Sequence, residues 1–170
     1  MNVKHLVTAV LLLVTSAASA QTIEKKKSAI SKVSVQPFHK IIINASIDVL
    51  LIEDSEPGTL YIEGDKAYFN DISVKQENGV LTIAANKDRS YKNKIYIGLP
   101  VKNLQAVDIY AKSFVTGMNT LQSKDLVITM YEECLVNIKS TGNIEIRSST
   151  DIGYSFLKKL PREYRNSLGK

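Results

Sequence analysis

From Ile41 to Leu51 every odd position is apolar: Ile41, Ile43, Ala45, Ile47, Val49 and Leu51. Asn44, Ser46 and Asp48 fall between them. A period of two marks an extended chain with one buried face, because successive strand side chains point to opposite sides. Shorter runs of the same kind follow at Leu60/Ile62, Ile72/Val74, Leu81/Ile83, Ile95/Ile97, Val107/Ile109, Leu126/Ile128/Met130, Cys134/Val136/Ile138 and Ile144/Ile146. Most of these positions are β-branched, as pleated half-buried surfaces prefer. No amphipathic helix pattern precedes the C-terminal tail, so the expected class is all-β.

Spacing narrows the architecture. Central apolar residues at Ile43, Ile62, Ile83, Ile109, Ile128 and Ile146 recur at intervals of 19, 21, 26, 19 and 18. A second series runs through Leu50, Val74, Ile97, Val115 and Val136. A period near 20 is what one coil of a β-solenoid consumes, each coil stacking its strands on those below. The long interval holds the polar insertion "NKDRSYKNK". Asn78-Gly79 is the one tight-hairpin signal, where a sandwich would usually want several. The expectation is a single-stranded parallel β-helix of six or seven coils, with a β-sandwich as the alternative.

The ends read differently from the body. Lys4, the apolar run Leu6 to Val14, and Ala18 and Ala20 before Gln21 form a signal-peptide pattern, so residues 1–20 are expected to be removed on export. The run is too short to span a bilayer, and no later segment approaches that length. Residues 21–32 read as a solvated lead-in, 33–154 as the β-solenoid domain, and 155–170 as a basic tail. In that tail Phe156, Leu160, Tyr164 and Leu168 share one face of a short helix, suited to capping the last coil. The net charge is +5. Once Lys4 and the tail are set aside, basic and acidic residues balance, so the body lacks the basic footprint of a nucleic-acid binder.

The segments "FHKIIINASIDVLLIEDSEPGTLYIEGD", "DISVKQENGVLTIAANK" and "KIYIGLPVKNLQAVDIYAKSFV" carry a family resemblance. Phe38 opens a strand. Asp48-Val49, Gly64-Asp65, Asn78-Gly79-Val80-Leu81, Leu99-Pro100 and Leu104 stand at the family's marked positions. The chain resembles the GIN-domain family, exported bacterial proteins described as auto-transporter adhesin heads. The similarity covers Val33 to Val115 well and Leu126 to Ser149 loosely. It implies a parallel β-helix-like stack with no established catalytic residues. The later repeats here lack the family's usual Gly-Ser richness.

Candidate chemistry is sparse. After the signal segment His39 is the one histidine, so nucleophilic triads would have to use it. One histidine and one cysteine cannot furnish the usual zinc ligand set. Cys134 shares the parity of Val136 and Ile138 and is expected to face inward as a small apolar residue, with no disulfide partner in the chain. Glu53, Asp54 and Glu56 crowd together and could serve calcium or polysaccharide cleavage. They end in Pro57-Gly58, however, where a strand must turn, so a solvated corner is the simpler reading. Asn44-Ala45-Ser46 matches a glycosylation acceptor, placed mid-strand by the alternation.

Tyr61, Tyr96, Tyr110 and Tyr131 each flank inward-facing residues and so are expected to point outward. Stacked coils could align some of them as an aromatic strip for sugar rings. The expected protein is therefore an exported, non-enzymatic binding or surface-structural module, adhesin-like, located in the periplasm, the outer envelope or the medium. Its partner would be a glycan or an envelope polymer, with no cofactor, no metal, no nucleic acid and no transmembrane segment. Two alternatives stand beside it: a carbohydrate-active β-helix enzyme using Glu53, Asp54 or Glu56, and an envelope assembly factor with no small ligand.

Overall fold

The computed structural model describes residues 28–54, 58–86, 90–91 and 94–148. The expected signal segment 1–20 and the tail 155–170 with its capping helix lie outside the described residues. The described chain is all-β. Its strands are β1 (Ala29–Ser34), β2 (Lys40–Asn44), β3 (Asp48–Glu53), β4 (Thr59–Gly64), β5 (Ile72–Glu77), β6 (Val80–Ala85), β7 (Ile95–Val101), β8 (Ala106–Ile109), β9 (Phe114–Gly117), β10 (Asp125–Met130), β11 (Leu135–Asn137) and β12 (Asn143–Ser148). A short 3-10 turn, Lys66–Asp71, precedes β5, and the Asp65 carboxylate caps it by accepting the Ala67 N–H. β1 begins inside the stretch read as lead-in.

The strands form two six-stranded sheets. Sheet A runs β1, β4, β7, β3, β9, β11, and sheet B runs β12, β10, β8, β2, β6, β5. One core cluster draws on both, so the sheets face each other across it. Ile41, Ile43, Leu81 and Ile83 come from sheet B, and Val49, Leu51, Ile97 and Leu99 from sheet A; all are fully buried. Each such aliphatic side chain contributes about 1.5–3 kcal/mol through burial.

The pairings correct the expectation of a uniformly parallel stack. β7, β3, β9 and β11 are mutually parallel, as are β6, β2, β8, β10 and β12. β1, β4 and β5 are antiparallel to their neighbours and close one side of the molecule. The sheets are therefore mixed, and the two-layer arrangement has the face-to-face geometry of the sandwich alternative. The Asn78-Gly79 hairpin joins β5 to β6 as expected, with both residues at positive φ (50° and 74°).

Register also corrects the apolar series. The true columns in sheet B are Leu81, Ile41, Val107, Ile128, Ile146 and Ile83, Ile43, Ile109, Met130. Ile62 lies instead in sheet A opposite Ile97, and Val74 lies in sheet B opposite Ile83. Val49, not Leu50, joins Ile97, Val115 and Val136. β2 and β3 insert between β6/β7 and β8/β9, so spatial neighbours are not sequence neighbours there. The period near 20 survives only where the chain advances directly, from Val107 to Ile128 to Ile146 in sheet B and from Val115 to Val136 in sheet A.

The founding alternation, Ile41 to Leu51, is two strands. β2 ends at Asn44 in sheet B, the chain bends, and β3 begins at Asp48 in sheet A. Ala45 and Ile47 stay buried through the bend, so parity is unbroken across it. Ser46 ties this corner to its neighbours: its hydroxyl donates to the Lys112 carbonyl, and its own carbonyl accepts the Tyr91 N–H. Tyr91, from the polar insertion, is fully buried and meets Tyr68 edge to face at 5.9 Å. Tyr91 is thereby anchored in the core.

Two carboxamides stand in for peptide groups at strand ends. Asn119 accepts the Glu53 N–H (2.7 Å) and donates to the Glu53 carbonyl (3.3 Å), extending the β3–β9 ladder by one side chain. Gln76 treats Gln36 the same way at 2.8 Å in both directions. Each satisfies backbone groups that a strand end would otherwise leave to solvent.

Candidate functional face

The two outer faces differ in chemistry. On sheet B the outward row is Lys75, Thr82, Ile42, Asp108, Thr129 and Arg147. Asp108 is bridged by Lys40 at 2.6 Å, and Arg147 binds Glu145 at 2.8 Å. That hydrogen bond and the opposite charge hold the Glu145 carboxyl below its ordinary value and raise Arg147. This is a solvated, internally paired surface.

Sheet A turns an apolar face outward. Register lines up Ile30, Glu63, Tyr96, Asp48, Phe114 and Leu135 across all six strands. Ile30 (63%), Tyr96 (37%), Phe114 (37%) and Leu135 (46%) are exposed, while Asp48, between the two rings, is buried at 5%. The adjoining row is Lys32, Tyr61, Gly98, Leu50, Thr116 and Asn137. Gly98 has no side chain, and a Cβ there would stand 3.6 Å from the Cβ of Tyr61. Tyr61 thus covers the bare glycine, with the Lys32 ammonium 5.7 Å from its ring centre.

All four tyrosines singled out above are exposed, but the fold separates them. Tyr61 and Tyr96 lie on adjacent strands of sheet A. Tyr110 and Tyr131 follow β8 and β10, stacked face to face at 4.1 Å with planes 5° apart. Their hydrogen bond, followed by desolvation and charge, raises the Tyr110 phenol above its ordinary value. Sequence reasoning passed over Phe114 and Leu135. Their parity against buried Val115 and Val136 carried the signal, but an outward search confined to tyrosine could not register it.

The other candidates are built into the scaffold. The Glu53 carboxylate accepts the Gln122 N–H at 2.8 Å, and Asp54 donates its N–H to the Val101 carbonyl. Glu53 is therefore a bracket for the loop beyond β9 rather than a free corner charge; Glu56 lies outside the described residues. His39 pairs through its backbone with Gly79, Gln105 and Ala106, and its ring leaves only 2.7 Å for a Cβ on Gly79. Cys134 is half-buried against the core. Asn44 closes β2, so the acceptor triplet lies at a corner and not mid-strand. Among the described residues no acidic, histidine or cysteine cluster could hold a metal ion, and no helix is long and apolar enough to cross a membrane.

Two facing mixed β-sheets, one presenting an exposed apolar and aromatic face, define an all-β display scaffold. Residues 37–154 match the family described as "Putative auto-transporter adhesin, head GIN domain", and the chain belongs to it. A comparison with curated proteins finds no match. Among solved structures, the chain is similar to a putative adhesin from Parabacteroides distasonis ATCC 8503 (20% identity, TM-score 0.65) and one from Parabacteroides merdae ATCC 43184 (18% identity, TM-score 0.62). Each alignment covers 76% of this chain and 56% of the other. A putative lipid binding protein from Parabacteroides distasonis ATCC 8503 shares 15% identity at TM-score 0.58, with 73% and 61% covered. The chain thus spans little more than half the length of the first two, and these likenesses concern the fold.

Proposed function

We propose that this chain is an exported, adhesin-like binding module that captures a glycan or another envelope polymer on the outer face of sheet A, without catalysis. One observation carries the reading: exposed Ile30, Tyr96, Phe114 and Leu135 share one register row of sheet A, on four of its six strands, whereas the corresponding row of sheet B holds one apolar residue, Ile42, among Lys75, Thr82, Asp108, Thr129 and Arg147. Scattered exposed apolar residues are ordinary, but a contiguous patch marks an interaction surface. Membership of the adhesin-head family agrees with this reading, and Glu53, one of the three carboxylates the enzymatic alternative would use, accepts the Gln122 N–H.

The test is sedimentation of the purified protein with envelope fractions and a broad glycan array. Tyr96→Ala and Phe114→Ala should reduce capture in protein that still unfolds cooperatively, because both side chains lie outside the buried core. Capture that is equal for wild type and both variants, or absent throughout, would overturn the proposal.

A further inference from the structure

We infer that the sheet A face takes an extended, neutral, β-linked glycan lying across the strands, with Tyr96 and Phe114 as its two stacking platforms. The inference rests on the binding reading above and specifies its ligand. Tyr96 and Phe114 occupy one register row, separated by β3. Two strand spacings place their backbones about 9.6 Å apart. In an extended β-1,4-linked chain the same pyranose face returns at nearly that interval, once per disaccharide. Asp48, the residue between them, is buried, so its side chain does not project into solvent between the two platforms. Sugar C–H faces pack on aromatic rings in this manner, and hydroxyl edges then need polar partners. Glu63 beside Tyr96, and Thr116 and Asn137 in the adjoining row, supply them.

The charges select among ligands. Glu63 and Asp48 interleave with the apolar members of the row. A lipid tail or an apolar peptide laid along it would strip water from the Glu63 carboxylate without replacing its hydrogen bonds. An anionic polymer would meet the exposed Glu63 carboxylate, of its own sign, beside the Tyr96 platform. A neutral polyhydroxyl chain satisfies both conditions. α-1,4-linked chains coil, so their ring faces do not return at the platform interval. Tyr110 and Tyr131 stay outside the site because they follow β8 and β10 of sheet B and are not in the sheet A rows.

Isothermal titration with cellohexaose, maltohexaose and hexagalacturonate tests this directly. Cellohexaose should bind, and Tyr96→Ala and Phe114→Ala should each weaken it at least about tenfold. Tyr110→Ala should leave it unchanged, and maltohexaose and hexagalacturonate should bind at least about tenfold more weakly. Cellohexaose failing to bind, binding equally to the Tyr96 and Phe114 variants, or being matched by either competitor overturns the inference. If envelope sedimentation still depends on Tyr96 and Phe114 in that case, only the ligand assignment falls. If that dependence is lost too, the binding reading falls with it.

Discussion

Glu53 separates a site from a scaffold most sharply. Its carboxylate accepts the Gln122 N–H at 2.8 Å, while Asn119 clasps its backbone through both amide atoms. Glu53→Ala removes the acceptor and leaves the Gln122 N–H to find water. A hydrogen bond to a charged group contributes about 1.5–3 kcal/mol, and partial solvent exposure puts this one near the lower end, about 1.5 kcal/mol. For a domain of this size that lowers the thermal midpoint by roughly 4–6 °C. Glu53→Gln keeps a carbonyl acceptor and should lose less than half as much. Asn119→Ala should cost about 1–2 kcal/mol through its two bonds. Combined with Glu53→Ala it should prove non-additive, because both hold the same loop. Thermal and urea denaturation of the wild type and the four variants, with and without calcium, is the assay. An unchanged midpoint in Glu53→Ala refutes the bracket. A calcium-dependent rise in the wild type that both Glu53 variants abolish would restore the metal reading.

Three further outcomes follow from the geometry. Gly64 has φ of 143° and would place a Cβ 2.0 Å from the Lys94 carbonyl oxygen, so Gly64→Ala should destabilise by about 3 kcal/mol in urea titration. Tyr91→Ala empties a fully buried aromatic position and should cost about 3–5 kcal/mol, whereas Tyr91→Phe should cost far less, as calorimetry would show. The raised Tyr110 phenol keeps its proton where the unfolded chain loses it. Its contribution to stability is therefore complete below about pH 10 and is lost as pH rises through the folded value. Ultraviolet titration should show Tyr131→Phe returning Tyr110 toward its ordinary range, and an unmoved titration would deny the coupling.

Much of the fold was legible because burial in strands leaves a period-two trace. Ile41, Ile43, Val107 and Ile128 all announced inward positions, and Asn78-Gly79 announced its hairpin. The candidate face was half legible: Tyr96 showed as outward by parity, and so did Tyr61. Their placement on one sheet, with Tyr96 in the row of Phe114 and Leu135 and Tyr61 in the next, depended on register, which pairs residues far apart in the chain. Tyr91 was hidden because a single aromatic within a polar insertion has no periodicity to read.

The stretch from Ile41 to Leu51 divides the two kinds of information. By itself the sequence determined that its odd residues are buried, that the chain is extended, and that the class is all-β. Only the tertiary structure decided that the stretch is two strands in opposing sheets, and that β2 lies between β6 and β8 and β3 between β7 and β9. Parity reports which side of the backbone faces the core. A corner that wraps around one core preserves that side, so alternation continues across it and cannot reveal where the chain bends. The choice of neighbouring strand is made by backbone pairing, whose donors and acceptors are the same at every non-proline position and leave no mark on the sequence.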